Sequence, residues 1–453
     1  MTSAYLLERA WVDGAVVDDV LVEIADGRFV RVSPADRGNP HDTPGADGEP
    51  RGNPRPAGET RRLAGLTIPG LANCHSHAFH RALRGRTQPS DGQSRGTFWT
   101  WREQMYAVAG RLDPDSYFAL ARATFREMAA AGITSVGEFH YLHHQPDGTP
   151  YDDPNAMGHA LIAAAAEVGI RIALLDTCYL SSGFGRPPEG VQARYTDGDA
   201  GRWAERLAAI DHTHVGAAIH SVRAVPKDQL PTVVEAAHGR PLHVHLSEQV
   251  AENDACLATY GATPTQLLRD AGALGTRTTA VHATHLTGAD ITHLGSTETR
   301  ACFCPTTERD LGDGIGPGRA LAKAGATITL GSDSHAVIDL LEEMRALEMD
   351  ERLATQQRGH WTAAELLAAG TAHESLGFDD AGTIAVGQRA DLVTIDTTAP
   401  RTAGTGSDEG TAVFAATAAD ITHVVADGRV VATRDDHEDI GRELAAAVGR
   451  VHA

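Results

Sequence analysis

The first residues that could bind a metal ion are two histidines separated by a single residue. His75 and His77 end an apolar segment that is predicted to be a β-strand. Residues two apart on a strand point to the same face, so both imidazoles can reach one ion. The chain contains 23 histidines, and this spacing alone is therefore weak evidence, because chance could produce it.

A later apolar segment, LHVHLSE, supplies two more histidines and an acid. His243 and His245 share one face of the predicted strand, and Glu248 follows three residues after His245. We expect His245, which is nearer the carboxyl end, to be a metal ligand and His243 to be a buried core histidine. Glu248 falls beyond the strand, where it could contact a metal-bound water without binding the metal.

Two further strand ends carry candidate residues. His282 ends one segment, and His285 follows in the predicted loop. Asp333 ends another, where its carboxylate could complete the metal's ligands and accept a proton from water. We expect His335, two residues later, to be an ordinary polar residue of the rim. A single strand-end histidine is usually structural, whereas three strand ends that converge with an acid on a fourth indicate a metal site.

Segments of this kind recur eight times and alternate with alanine- and leucine-rich helical stretches, which is the pattern of a closed (β/α)8 TIM-like barrel. Active-site residues of such barrels lie at the carboxyl ends of the strands, where these histidines and acids fall. A doubly wound open sheet is the alternative, but its glycine-rich phosphate fingerprint is missing. The predicted strands are LTIPGLANCHSH, ITSVGEFHY, RIALLDTCY, VGAAIHSVR, LHVHLSE, TTAVHATH, RACFCPTTE and ITLGSDSH.

Both ends of the chain contain short β-rich segments with Asp-Gly turns. Residues 1–65 and 383–453 are therefore expected to form one small β-sandwich, with a terminal helix in the second piece, beside a barrel of residues 66–382. The stretch 33–59 is rich in Pro, Gly and Asp and is predicted to be a loop.

Composition excludes several classes of protein. The formal net charge of -21 disfavours a nucleic-acid partner. The first twenty residues are not expected to be an export signal, and no segment reaches the roughly 18 apolar residues of a membrane span. Five cysteines, an odd number without CxxC spacing, predict reduced thiols and no disulfides in a cytoplasmic enzyme.

Three neutral imidazoles and one carboxylate suit Zn²⁺, with Fe²⁺ and Mn²⁺ as alternatives. Zinc can lower the pKa of a bound water from about 15.7 to about 7. Barrel hydrolases with two metals often place a lysine at the end of the fourth strand. Here that strand ends in IHSVR, so one metal ion per chain is the simpler prediction.

These residues resemble the amidohydrolase superfamily, specifically its mononuclear deaminase branch, over essentially the whole chain. The runs NCHSHAFHRALRG, GTFWTWREQMY, EFHYLHH and AIHSVRAV are similar to the formimidoylglutamate deiminase family. Members of that family convert N-formimidoyl-L-glutamate and water into N-formyl-L-glutamate and ammonia during histidine degradation. The resemblance implies zinc ligands at His75, His77, His245 and Asp333.

The resemblance also implies roles for the remaining candidates. Glu248 and His282 would transfer protons, and Asp333 would assist as a base. Similar enzymes are commonly dimers, so a homodimer is expected. Position 80 departs from the pattern, because some members carry glutamine where this chain has histidine. The implied substrate contacts are His80, Arg102, Tyr141, His220 and Arg223.

The charge of the chain determines what a dicarboxylate site would need. A strongly acidic protein repels such a molecule unless guanidinium groups grip each carboxylate locally, as Arg102 and Arg223 could. One alternative is another deaminase of the same branch, acting on guanine, cytosine, an adenosine derivative or a triazine. Such a site would need stacking groups for a flat ring. A second alternative is a non-catalytic barrel that serves as a scaffold.

Overall fold

A computed structural model of the chain describes residues 3–35, 60–88 and 98–453. Most of the predicted loop 33–59 therefore lies outside the described residues. Within them, the strands form two sheets. The strands are β1 (Ser3–Val12), β2 (Ala15–Ala25), β3 (Arg28–Pro34), β4 (Thr60–Pro69), β5 (Leu71–Ser76), β6 (Ile133–His140), β7 (Arg171–Cys178), β8 (Val215–Ile219), β9 (Leu242–Leu246), β10 (Thr278–His282), β11 (Arg300–Phe303), β12 (Ile328–Leu330), β13 (Leu392–Ile395), β14 (Ile421–Ala426) and β15 (Arg429–Thr433).

Helices follow most of the barrel strands. The α-helices are α1 (Phe98–Ala109), α2 (Pro114–Ala130), α3 (Ala156–Val168), α4 (Ala200–Ala208), α5 (Leu230–Ala236), α6 (Val250–Tyr260), α7 (Pro264–Asp270), α8 (Gly288–Ser296), α9 (Pro305–Leu311), α10 (Gly318–Ala324), α11 (Leu340–Thr355), α12 (Ala363–Gly370), α13 (Glu409–Phe414) and α14 (His437–His452). Short 3₁₀ helices span Ala78–Leu83, Gly190–Tyr195, His373–Leu376, Ala418–Asp420 and Arg434–Asp436.

The eight strands β5 to β12 lie side by side in chain order, and each pairs in parallel with the next. The barrel closes where the segment after β12 meets β5. The Asp333 N–H donates to the His75 carbonyl over 3.0 Å, and the His77 N–H donates to the Asp333 carbonyl over 3.2 Å. The closed sheet confirms the predicted barrel and rules out the doubly wound alternative.

The segment predicted as the first barrel strand, LTIPGLANCHSH, is divided at Gly70. Its first part belongs to β4 in the small sheet, and β5 of the barrel begins at Leu71. A Cβ atom on Gly70 would lie 2.3 Å from Thr134 Oγ1 and 2.7 Å from the Asp391 Cβ. Glycine is required here because the chain passes between the two units with no room for a side chain.

The barrel strands are covered on both faces. Every residue of β5, β6 and β9 is buried, which explains the nearly continuous apolar character that these segments have in the sequence. The surrounding helices start at recognisable signals. At α2, the Asp113 side chain accepts from the Ser116 N–H, Ser116 bonds back to Asp113, and proline occupies the first turn.

Both chain ends contribute to the second sheet, whose strand order is β15-β14-β13-β4-β1-β2-β3. Its two-residue hairpin loops are Asp13-Gly14, Asp26-Gly27 and Asp427-Gly428, and both residues of each have positive φ angles. This is the geometry that tight hairpins require and that Asp-Gly pairs favour. The predicted small sheet domain built from both ends is therefore confirmed.

An ionic network joins the small sheet to the amino end of the barrel. Arg171, at the start of β7, pairs with Asp391, and its Nη1 lies 3.1 Å from Asp427 Oδ1. Arg389 extends the network to Asp427 and Asp380, with N to O distances of 3.0 Å and 2.8 Å. These contacts fix the two units relative to each other.

Two further observations concern the cysteines and the helices. The cysteines at positions 74, 178, 256, 302 and 304 are all buried and unpaired. None of the helices between residues 3 and 453 that the structure describes combines the length and apolar character needed to cross a membrane.

Candidate active site

Side chains from separate strand ends converge at the carboxyl face of the barrel. The ligand atoms of His75, His245, His282 and Asp333 all lie within 4.8 Å of one another. His75 Nε2 is 3.1 Å from His245 Nε2 and 3.3 Å from Asp333 Oδ1. His77 Nε2 lies 3.3 Å from the same Asp333 oxygen. We call these five residues the strand-end cluster.

The outer ring nitrogens show how two imidazoles are oriented. His77 Nδ1 lies 2.9 Å from the Phe139 carbonyl, and His245 Nδ1 lies 2.9 Å from the His220 carbonyl. A carbonyl can only accept, so each Nδ1 carries the proton and each Nε2 directs a lone pair into the cluster. Burial also lowers the pKa of His77 and His245 well below the ordinary value, which keeps both rings neutral.

Lone pairs and a buried carboxylate that face one point repel each other unless a cation lies between them. The strand-end cluster therefore fits a divalent metal ion that accepts nitrogen and oxygen ligands. All four ligands implied by the resemblance, His75, His77, His245 and Asp333, are brought together here. His282 lies in the same group, with Nε2 3.7 Å from Asp333 Oδ2.

The backbone at these strand ends is unusual. Ser247, His282, Asp333 and His335 have φ angles of 51°, 67°, 40° and 58°. Left-handed conformations are uncommon for residues other than glycine, and they concentrate at functional sites, where surrounding contacts maintain them. The turns after β9, β10 and β12 therefore hold a conformation that local propensity alone would not select.

Two acids flank His282. Glu248 Oε1 lies 3.9 Å from His282 Nε2, on the cavity side. Glu308 Oε1 lies 3.3 Å from His282 Nδ1 and accepts from the Cys304 N–H over 2.9 Å. Glu248 is thus free to face a substrate, whereas Glu308 fixes the orientation of the His282 imidazole. Glu308 is the last residue of the predicted strand segment RACFCPTTE, but it was not among the predicted site residues.

The cluster forms the floor of a cavity of about 640 Å³, including the solvent at its mouth. All predicted site residues except His75 line this cavity. The structure thus brings the predicted metal, proton-transfer and substrate residues to one place. The lining also includes residues that were not among the predicted site residues: Trp101, Met105, Tyr106, Tyr179, Tyr195, Ser221, Glu252 and Leu311.

His80 and Tyr141 form one side of the cavity. His80 Nε2 lies 3.0 Å from the Tyr141 hydroxyl, and burial lowers the pKa of His80 to about 3, so its imidazole is neutral. The His80 ring also lies 4.5 Å from the His77 ring. The departure at position 80 therefore places a neutral imidazole against the metal ligands.

Two arginines also line the cavity. The Arg102 guanidinium lies over the Tyr106 ring, 5.5 Å from its centroid. Arg223 forms no salt bridge with any residue in the described part of the chain, although Glu252 is near enough to raise its pKa against the effect of burial. One Glu252 oxygen is itself buried without a hydrogen-bond partner among the described residues.

Histidines outside the cluster occupy other positions. His243 is fully buried, with Nε2 3.3 Å from the Ser375 carbonyl. The prediction that His335 is a rim residue is wrong, because it is fully buried and bonds to Ser76 Oγ at 3.2 Å and Ser332 Oγ at 3.0 Å. The left-handed turn at His335 folds its ring back against β5.

Some of the unpredicted residues had a signal in the sequence. Tyr106 follows Arg102 by four positions on α1, which places both on one helix face. Tyr179 directly follows β7, at the kind of position where barrel active sites lie. Tyr195 belongs to the 3₁₀ segment Gly190–Tyr195, where no periodic pattern indicates which side chains face the cavity.

Comparison with known proteins identifies the family to which the chain belongs. The profile of the Amidohydrolase family matches residues 66–431. A formimidoylglutamate deiminase of Pseudomonas aeruginosa is 36% identical over 425 residues, which cover 90% of this chain and 89% of that protein. An 8-oxoguanine deaminase of the same organism is 29% identical and covers 72% of this chain and 73% of its own.

Among solved structures, an amidohydrolase from Brucella melitensis superposes with a TM-score of 0.85 at 29% identity and covers 100% of both chains. The profile match spans the barrel and part of the second sheet, including every member of the strand-end cluster. The chain therefore belongs to the amidohydrolase family of hydrolases.

Proposed function

We propose that this protein is a zinc-dependent formimidoylglutamate deiminase, which hydrolyses N-formimidoyl-L-glutamate to N-formyl-L-glutamate and ammonia in histidine degradation. The observation that carries the proposal is that Arg102 and Arg223 line the same cavity as the strand-end cluster. In a chain of net charge -21, two guanidinium groups in one cavity favour an anionic substrate. The name of the relative at 36% identity supports the same reaction.

Zinc held by His75, His77, His245 and Asp333 would supply an activated water and polarise the substrate. The protein's own groups would move the protons. His282 and the Asp333 carboxylate, 3.7 Å apart, are placed to accept the proton that the attacking water loses. The water oxygen would then form a bond to the formimidoyl carbon.

Glu248 is the proposed proton donor to the leaving nitrogen. Burial raises the pKa of its carboxyl group, which favours the protonated form. Protonation allows ammonia to leave as a neutral molecule as the carbon–nitrogen bond breaks. Arg102 and Arg223 would hold the two carboxylates of the substrate, so that its amidine end reaches the cluster.

The test is ammonia release from N-formimidoyl-L-glutamate and from guanine, measured side by side. We expect release only from the linear amidine, because two arginines recognise carboxylates and not a neutral flat ring. Treatment with a chelator should abolish turnover, and added Zn²⁺ should restore it. Release from guanine alone would contradict the proposal.

Arg223→Ala tests the proposed grip on the substrate. It should raise KM for the dicarboxylate roughly 10- to 100-fold, the loss expected for hydrogen bonds to a charged group, with zinc content unchanged. Arg202→Ala is the matched control, since Arg202 lies exposed on α4, outside the cavity lining. An unaltered KM for Arg223→Ala would refute the role of this arginine.

A further inference from the structure

A series of tyrosines extends along the cavity from the strand-end cluster. The Tyr141 ring is 5.3 Å from the His77 ring, and the Tyr195 ring lies 5.1 Å beyond Tyr141. Tyr179 packs against Tyr195 with ring centroids 5.3 Å apart. Together with Tyr106, which also lines the cavity, Tyr179 and Tyr195 form a group that we call the tyrosine wall.

One glutamine bonds to two hydroxyls of this wall. Gln192 Nε2 lies 2.8 Å from the Tyr106 hydroxyl and 2.8 Å from the Tyr179 hydroxyl. The other end of the amide accepts from the Glu189 N–H over 2.9 Å, and an N–H can only donate. The oxygen of the Gln192 amide must therefore face Glu189, so that its NH₂ group faces the two phenols.

The orientation of the amide determines where the phenol protons point. Each phenol oxygen accepts an N–H from Gln192, so neither phenol can direct its own proton at that amide. A hydrogen bond between Tyr106 and Tyr179 would use one of their two protons at most. At least one O–H is therefore left to donate into the cavity.

Tyr195 provides a second unused donor. Its side chain is only 1% exposed, and its hydroxyl has no hydrogen-bond partner among the residues that the structure describes. Buried hydroxyl groups are nearly always satisfied, and an orphan that borders a cavity indicates a missing ligand. A hydrogen-bond acceptor fits this position, because at least one neighbouring phenol also directs its proton into the cavity.

We propose that the hydroxyls of Tyr106, Tyr179 and Tyr195 bind the side-chain carboxylate of the substrate, with Gln192 as the residue that positions two of them. This inference rests on the proposed function. A carboxylate accepts several hydrogen bonds at once, and the Arg102 guanidinium over the Tyr106 ring adds positive charge at the same place.

The position of the tyrosine wall selects which carboxylate it would bind. With the amidine at the strand-end cluster, the side-chain carboxylate of glutamate extends two methylene groups farther than the carboxylate on the α-carbon. The wall lies one ring beyond Tyr141, so the more distant carboxylate would reach it. Substrates with a shorter or uncharged side chain would leave the Tyr195 hydroxyl unsatisfied. The tyrosine wall would therefore determine substrate specificity.

The experiment compares two substrates, N-formimidoyl-L-glutamate and N-formimidoyl-L-norvaline, in which a methyl group replaces the side-chain carboxylate. Tyr195→Phe should lower kcat/KM for the first roughly 10-fold, as loss of one hydrogen bond to a charged group predicts, and leave the second unchanged. Tyr5→Phe, which removes a buried tyrosine hydroxyl in the small sheet, is the control and should alter neither.

Gln192→Glu tests the positioning role. A carboxylate would accept the phenol protons and add negative charge, so KM for the dicarboxylate should rise roughly 100-fold while kcat changes little. Equal losses on both substrates would indicate a structural defect and overturn the inference, as would an unaltered KM.

Calorimetric binding of glutarate separates this inference from the proposed function. If the wild-type protein failed to hydrolyse N-formimidoyl-L-glutamate, the proposed function would be wrong. Glutarate affinity alone would then decide whether the tyrosine wall binds a carboxylate. We expect Tyr195→Phe to weaken glutarate binding roughly 10-fold and Tyr5→Phe to leave it intact. Equal affinity in all three proteins would overturn the role of the tyrosine wall.

Discussion

Glu248 lies beside the strand-end cluster, with Oε1 3.9 Å from His282 Nε2, and is not among the residues whose ligand atoms group together there. We therefore expect Glu248→Gln to retain its metal and lose roughly 10²- to 10⁴-fold in kcat, because glutamine has no acidic proton to give the leaving nitrogen. Metal analysis of the same preparation used for kinetics checks both expectations. Near-normal turnover with zinc bound would show that this carboxyl group is not the donor.

In the proposed reaction, Glu308 would act only through His282. Its Oε1 holds His282 Nδ1 at 3.3 Å and also accepts from the Cys304 N–H, so the imidazole is fixed in one orientation. Glu308→Gln should lower kcat roughly 10- to 100-fold, the usual effect of altering a group that orients an active-site histidine. A change in KM alone would contradict this positioning role. The melting temperature serves as the control for folding.

At the level of secondary structure, Gly70 separates the last strand of the small sheet from the first strand of the barrel. Gly70→Ala should destabilise the protein by about 1 to 3 kcal/mol, because the new Cβ would overlap Thr134 and Asp391. Gly441→Ala is the matched control. Gly441 lies exposed in α14 with nothing near its missing Cβ, so alanine should stabilise by about 0.5 to 1 kcal/mol.

Urea denaturation of both glycine variants measures these two free energies of unfolding. The free energy of unfolding should fall for Gly70→Ala and rise for Gly441→Ala, since steric overlap applies at position 70 and helix propensity at position 441. Destabilisation of equal size at both positions would show that the close approach at Gly70 is not what determines its identity.

The strands also show how far sequence can predict the site. Parallel strands of a barrel end at one face, so residues at strand ends such as His245, His282 and Asp333 could be placed together before the structure was known. Tyr195 and Gln192 could not, because irregular segments carry no period that tells which side chains face inward. His335 was misplaced because a left-handed turn after β12 reverses the direction that a continued strand would give it.

At the scale of the whole molecule, the ionic network at Asp391 joins the two units. Burial alone would raise the pKa of Asp391, but Arg171 lowers it below the ordinary value. Asp391→Asn should therefore cost about 3 kcal/mol of stability at neutral pH, because it leaves the buried Arg171 with a weakened partner. Glu438→Gln, which removes an exposed partner of Arg442 on α14, should leave the unfolding midpoint unchanged.

The pair formed by Arg171 and Asp391 also predicts how the stability of the protein depends on pH. A carboxyl group whose pKa is depressed in the folded state contributes its stability above the unfolded pKa of about 3.9 and loses it as the pH falls through the lower, folded value. The difference in stability between wild type and Asp391→Asn should thus be constant near neutrality and shrink in acid. Denaturation curves at a series of pH values measure this, and a gap that widened in acid would contradict the assignment.

The closure of the barrel has a consequence for biosynthesis. His75 and His77 lie on the first barrel strand, whereas Asp333 follows the last, and backbone hydrogen bonds join these two edges. A nascent chain still emerging from the ribosome therefore has the early imidazoles long before it has the acidic ligand. The predicted ligand set is complete only after the cylinder closes, so a truncated translation product would lack its carboxylate, Asp333.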